Sequence, residues 1–313
     1  LSKNIILSAG SYLPKKVLTN DEIALTVDTS NEWIKQRTGI TQRHIAGNGE
    51  LTSDLAVKAA ENALTNAGIL AAEINLIIVA TTTPDNAFPS CATIVQNKLK
   101  CNNAFAFDIQ AACSGFIYAV ATADSLMKSD NKIKYALVIG AEIMSKLIDW
   151  QDRSTCILFG DGAGAIVMKS TSYHHKEVKG ILSSHMYSDG NVDILYATKK
   201  IYMNGREVFR HAIDKLTTMV EEVLSDNCLK ISDISWLIPH QANIRIIESV
   251  TKKLEFPTAK IINTIDKHAN TSAASIPLAL DDSIQKSKIK PGDIILLVAI
   301  GAGLTWGSIL LRY

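Results

Sequence analysis

Residues 104–116 read AFAFDIQAACSGF. The apolar run Ala104–Ile109 has the composition of a strand, and beyond a short turn Phe116–Met127 carries the spacing of a buried helix. Cys113 therefore falls where a strand hands over to a helix N-terminus. Unpaired N–H groups and the positive end of the helix dipole favour an anion there by roughly 0.3–1 kcal/mol. That position is expected to lower the thiol pKa and make Cys113 a nucleophile.

The flanking sequence repeats the same strand-to-helix order, which points to an α/β fold. Upstream, Lys3–Ser8 reads as a first strand, and Thr19-Asn20-Asp21-Glu22 supplies capping residues for a short helix. TSNEWIKQRTGITQRH (29–44) sets a tryptophan among arginines, Ser53–Ala67 is an amphipathic helix, and INLIIVA (74–80) is a buried strand. A helix over Cys91–Leu99 and the strand YALVIG (135–140) surround the Cys113 unit. Downstream come a helix (209–224), the strand ISWLI (234–238) ending in PHQAN, and a helix (244–254). A further helix (273–285) is opened by HANTSAAS, and the strand IILLVAI (294–300) ends in GAG. Laying Ile74 on Ile234 puts Ala80 on His240; Cys113 lies 33 residues beyond Ala80, and Asn270 lies 30 beyond His240. Two halves of one topology are expected, residues 1–170 and 171–313, with the polar stretch STSYHHKEV (170–178) as the crossover.

Composition bounds the partners. The 313 residues are 47% hydrophobic and 20% charged, enough for a large core. With 32 basic against 31 acidic residues, no overall field favours nucleic acid or a membrane surface. No apolar run has the length of a membrane span, and LSKNIILSAGSYLP lacks the pattern of a signal peptide, so a cytoplasmic location is expected. The five cysteines are an odd number without a closely spaced pair, which argues against a disulfide framework and a structural zinc.

Functional side chains in open α/β sheets gather beyond the carboxyl ends of strands, and three such ends carry Cys113, His240 and Asn270. A cysteine, a histidine and an asparagine also occur in papain-like hydrolases. The settings here differ from that arrangement: Asn270 precedes a small-residue helix and His240 follows Pro239 on a separate strand. Two neutral donors beside a nucleophile form a cradle for a developing enolate oxygen. Gly301-Ala302-Gly303 can bring the Ala302 N–H beside that of Cys113 as an oxyanion hole.

These motifs resemble those of the 3-oxoacyl-[acyl-carrier-protein] synthase III family, the initiating condensing enzymes of fatty acid synthesis within the thiolase superfamily. The resemblance runs through TSNEWIKQRTGI, AFPS, DIQAACSGF, DRSTCILFGDGAGA, GREVF, PHQANIRI, HANTSAAS and GAGLTWGS. It implies a thiolase-like, duplicated five-layer αβαβα fold, a homodimer, and Cys113, His240 and Asn270 as the catalytic set. It also implies an acyl-CoA, acetyl-CoA in the first instance, as acyl donor and malonyl-acyl carrier protein as acceptor. Coenzyme A thioester enters as substrate, with no cofactor and no metal.

By the same resemblance, Trp33 and Arg153 would sandwich the coenzyme A adenine, with Arg37 near the phosphates and Gly205 and Asn243 along the pantetheine arm. Phe88 would cross a dimer interface to close the partner's acyl pocket. Arg245, Arg210, Lys252 and Lys253 would form the basic patch for the acidic carrier protein. Two positions depart from the common pattern: Ile300 stands where phenylalanine is frequent, and Ala302 where glycine is. GDGAG (160–164) lacks dinucleotide-loop spacing and is expected to turn a hairpin; His268 is expected to be a structural histidine. The rival readings are a starter-unit condensing enzyme of polyketide or quinolone synthesis, a silent coenzyme A or carrier-protein binder, and a cysteine-dependent thioester hydrolase.

Overall fold

Alternation within single strands explains the layers. The structure is a computed structural model that describes residues 3–171, 179–190 and 192–313. The first part of the chain runs β1 (Lys3–Tyr12), β2 (Lys16–Thr19), α1 (Asn20–Ala24), α2 (Asn31–Thr38), β3 (Gln42–Ile45), α3 (Thr52–Ala67), β4 (Leu76–Ala80) and α4 (Cys91–Leu99). It continues through β5 (Phe105–Ile109), α5 (Gly115–Ser129), β6 (Tyr135–Ile143), α6 (Arg153–Cys156) and β7 (Asp161–Thr171). Next come β8 (Gly180–Ser188), the ribbon β9 (Leu195–Ala197) and β10 (Ile201–Met203), α7 (Gly205–Asp226), β11 (Trp236–Pro239) and α8 (Ile244–Lys253). The chain closes with α9 (Ile265–His268), α10 (Ser275–Gln285), β12 (Ile294–Gly301) and β13 (Thr305–Arg312).

Successive strand residues face opposite sides. In β4, Ile77 and Val79 meet α3 and α4 on one face, while Leu76 and Ile78 meet α5 and α10 on the other. In β12, Ile295 and Leu297 share that central layer, and Leu296 and Val298 face α7 and α8. Five layers follow: α3 and α4, a sheet, α5 and α10, a second sheet, then α7 and α8. This is the duplicated αβαβα arrangement of a thiolase-like fold. The continuous apolar runs of β4 and β12 are what burial on both faces requires.

The first sheet has the order β1-β7-β6-β4-β5 and the second β11-β12-β13-β8. Read from the other edge, β8-β13-β12-β11 repeats β1-β7-β6-β4, including two antiparallel pairs followed by a parallel one. The counterpart of β5 has shrunk to one parallel bridge, Leu237 to Ile261. Residues 172–178, most of the expected crossover, lie outside the described residues.

GDGAG does not turn a hairpin. Gly162 and Gly164 lie inside β7, and a Cβ on Gly164 would stand 2.7 Å from the Leu278 N of α10. The glycines serve close helix-to-sheet approach rather than a bend. Among the described residues no helix is long and apolar enough to cross a membrane.

Candidate active site

β5 ends at Ile109, a single 3-10 turn spans Ala112–Ser114, and α5 begins at Gly115. Cys113 thus sits at the hand-over read from the sequence. Its turn is tied to the 302–305 turn through Ser114 Oγ, which lies 2.6 Å from Thr305 Oγ1 and donates to the Ala111 carbonyl at 2.7 Å. Gly301 passes so close that a Cβ there would stand 2.6 Å from the Cys113 N. Only a glycine lets the last strand approach the Cys113 backbone in this way.

On the other side, β11 ends at Pro239 and delivers His240, while a 3-10 turn over Ser272–Ala274 precedes α10 and follows Asn270. The Asn270 Oδ1 accepts from the Ser272 N–H at 2.9 Å, which leaves the amide NH2 as the free end of the group. The Asn270 backbone is held by the first half: its N–H donates to the Leu158 carbonyl and its carbonyl accepts from the Gly160 N–H, each at 3.0 Å. His240 Nδ1 lies 2.6 Å from Ser275 Oγ.

Cys113, His240 and Asn270 line one cavity of about 310 Å3, together with Ala302, Ile300, Gly205, Asn243 and Phe209. Met144, Phe159 and Leu195 complete much of the apolar wall, with Thr82 beside them. Burial sets the electrostatics. It holds His240 neutral by pulling its pKa down to about 3. Burial also pushes the Cys113 thiol up to about 11, while a hydrogen bond from Ser272 works the other way. The lowered thiol pKa expected from the helix terminus is not what the burial of Cys113 gives: desolvation of the thiolate pushes the other way.

The outer residues are brought together unevenly. Arg153 lies 5.0 Å over the Trp33 ring and Arg37 5.7 Å from its centre, so the three form one cluster. Arg153 rests directly on the indole and donates to the Asp28 carbonyl at 2.8 Å. At that spacing the two side chains leave no room for a flat ring between them. Asn243 caps α8, its Oδ1 accepting from the Arg245 N–H at 2.9 Å, which leaves its NH2 for the cavity. Arg245 covers Phe209 beside the cavity, and Arg210 pairs with Glu207 at 2.6 Å. Lys252 and Lys253 sit in the last turn of α8, about 10 Å along the axis from Arg245. Phe88 is 85% exposed and lies outside its own chain's cavity.

His268 is buried, with burial pulling its pKa to about 4. Two polar residues beside the site were not singled out from sequence. Glu142 is wholly buried, accepts from Thr82 N at 3.0 Å and Thr83 Oγ1 at 2.7 Å, and is pushed above the ordinary carboxylate range by desolvation. Ser275, behind His240, is the other. The register of the two halves was the signal for it, since position 275 faces 240 as 115 faces 80.

Comparison with known proteins follows the same lines. A family profile described as 3-oxoacyl-[acyl-carrier-protein (ACP)] synthase III matches residues 107–190, and its C-terminal companion matches 224–313. The chain is 69% identical over 322 residues to a beta-ketoacyl-[acyl-carrier-protein] synthase III of Wolbachia pipientis wMel, covering 100% of both. It is 58% identical to the protein of that name from Ehrlichia canis (strain Jake), again over 100% of both. The crystal structure of 3-oxoacyl-[acyl-carrier-protein] synthase III from Aquifex aeolicus VF5 superposes with a TM-score of 0.95 at 48% identity, covering 99% of this chain and 100% of that one.

Proposed function

This chain belongs to the 3-oxoacyl-[acyl-carrier-protein] synthase III family, and from that premise we propose how its own residues divide the chemistry. The reaction is the decarboxylative condensation of acetyl-CoA with malonyl-acyl carrier protein, which gives 3-oxoacyl-carrier protein, coenzyme A and CO2 and initiates fatty acid synthesis. The chain is an acyltransferase.

In the first half-reaction the Cys113 sulfur attacks the thioester carbonyl, and coenzyme A leaves with the thiol's proton. The oxygen that becomes negative is met by the backbone N–H groups of Cys113 and Ala302. In the second, malonyl-carrier protein occupies the same cavity and its C–CO2 bond breaks. The electron pair flows into an enolate whose oxygen is held by His240 Nε2–H and the Asn270 NH2. The enolate carbon then attacks the acyl-cysteine, and the thiolate departs. A histidine kept neutral at ordinary pH donates without becoming a competing acid. The reading needs no metal or redox group, because the thioester is itself the activated substrate.

The observation that carries this assignment is the convergence of Cys113, His240 and Asn270 on one cavity, with the asparagine oxygen already tied off. Trp33, Arg37 and Arg153 would hold the nucleotide, and Gly205 and Asn243 the pantetheine arm. Arg245 and Arg210 would meet the carrier protein at the cavity mouth, with Lys252 and Lys253 steering from further out. A homodimer fits two features: Phe88 stands outside its own cavity, and β5 is a sheet edge with Phe105 48% exposed. Two halves, 1–170 and 171–313, are supported by the two sheets.

Intact-mass analysis after incubation with acetyl-CoA tests the first step, and product analysis with malonyl-carrier protein tests the second. An acetyl adduct on Cys113 and a 3-oxoacyl product are expected; free acetate as the main product would point to a hydrolase instead.

A further inference from the structure

A hydroxyl carries one proton and two lone pairs, so its partners can be counted. Ser275 Oγ lies 2.6 Å from His240 Nδ1 and accepts the Gln241 backbone N–H at 3.3 Å. Both His240 and Ser275 are buried, 5% and 1% exposed. Were Nδ1 protonated and donating to Ser275, the serine would accept twice, and its own buried proton would have no acceptor among the described residues. With the serine donating to Nδ1, every group is satisfied and the ring's proton sits on Nε2.

The setting of this pair is rigid. Gln241 is wholly buried; its NH2 donates to Pro239 O at 2.7 Å and Ile262 O at 3.3 Å, and its Oε1 accepts from Thr264 N at 2.9 Å. The strand end that carries His240 is thereby clamped on both sides.

The duplication separates this serine from the needs of the fold. The first half builds the same approach from Ala80 and Gly115, where a Cβ on Gly115 would stand 3.3 Å from the Ala80 Cβ. The same turn therefore forms around a glycine. A hydroxyl stands at this position only in the half that has an imidazole to face.

We propose that Ser275 is a positioning residue of the condensation step, its hydroxyl donating to His240 Nδ1 so that Nε2–H faces the cavity. This rests on the reading of His240 as an enolate donor. Ser275 touches neither substrate nor the Cys113 sulfur, so its influence falls on one half-reaction only.

Three measurements on the full chain test it: acetylation of Cys113 by acetyl-CoA, condensation with malonyl-carrier protein, and nitrogen NMR of isotope-labelled histidine. The His240 signal is assigned by its loss in His240→Gln. In the wild type, a protonated Nε2 and a hydrogen-bonded, unprotonated Nδ1 are expected. Ser275→Ala should acetylate at the wild-type rate, lose condensation by at least about tenfold through kcat rather than KM, and show a mixed tautomer. Normal condensation by folded Ser275→Ala, or a protonated Nδ1 in the wild type, overturns the proposal. If Ser275→Ala does not fold, the wild-type spectrum alone decides. Should His240→Ala also condense normally, the enolate-donor reading of His240 has failed instead.

Discussion

The turn at 110–115 and the turn at 270–275 are two castings of one backbone. Each follows a strand or its remnant, closes one 3-10 turn (Ala112–Ser114, Ser272–Ala274) and opens a central helix. Each places a non-glycine residue at positive φ at the same step, Ala112 at 45° and Ser272 at 50°. The side chains then diverge: Cys113 against Ala273, Gln110 against Asn270, Gly115 against Ser275, and on the adjoining strands Ala80 against His240. Geometry is shared and chemistry is divided. On the proposed assignment acyl acceptance falls to the first casting and enolate stabilisation to the second, and the two line one cavity.

The sharpest way to break this division is at the sulfur. Cys113→Ser should lower acyl transfer by at least about a thousandfold, read by intact mass and product formation. Returning a thiol to the other casting, as Ala273→Cys in a Cys113→Ala background, should restore nothing. Ala273 is 1% exposed and its carbonyl is the atom that a Cβ on Gly140 would strike first. Next, His240→Ala and Asn270→Ala should each acetylate normally but lose condensation by about 100–1000-fold, measured on the separated half-reactions.

Stability tests the seam between the castings. Gly140→Ala forces a Cβ into the backbone of Ala273 and should cost about 3 kcal/mol or more in denaturant unfolding. Gly115→Ala meets only the Ala80 and Ala273 methyls at 3.3 and 3.6 Å and should cost about 1 kcal/mol.

Smaller again is a pH effect. Because burial holds the Cys113 thiol near 11, the thiolate fraction grows tenfold per pH unit below that value. Alkylation of Cys113 in a Cys228→Ser background should therefore climb without a plateau between about pH 7 and 9. A plateau near neutrality would show that the helix terminus prevails over burial. The smallest effect is expected from Ala112→Gly. Relief of the left-handed conformation, about 1–2 kcal/mol, is largely offset by the greater freedom of glycine in the unfolded chain, so the melting temperature should hold or rise slightly.

Much of this was legible from residue order. Strands buried on both faces announce themselves as apolar runs, and the ends of β4, β5 and β11 located Ala80, Cys113 and His240 because chain spacing survives folding. Effects that depend on what surrounds a group were not legible. The dipole at Cys113 is local and could be read; the burial that raises its pKa comes from both halves at once. Glycines 162 and 164 look the same whether they bend a chain or admit a helix, and only the position of α10 decides. The Trp33 and Arg153 contact depends on side-chain conformation, which no motif records. Ser275 lay in TSAAS, where a small residue reads as helix packing, and only the register that sets 275 opposite 240 pointed to it.

Asn270 holds hands with the far side of the molecule: its main chain bonds to Leu158 and Gly160, not to its own sheet. During synthesis Cys113 emerges long before residue 270, and the backbone that carries the Asn270 carboxamide is pinned in place only when it docks on that earlier segment. On the proposed assignment the enolate cradle would be complete only once the two halves have met. A truncated or half-folded copy would then carry a thiol but no means of squandering malonyl groups.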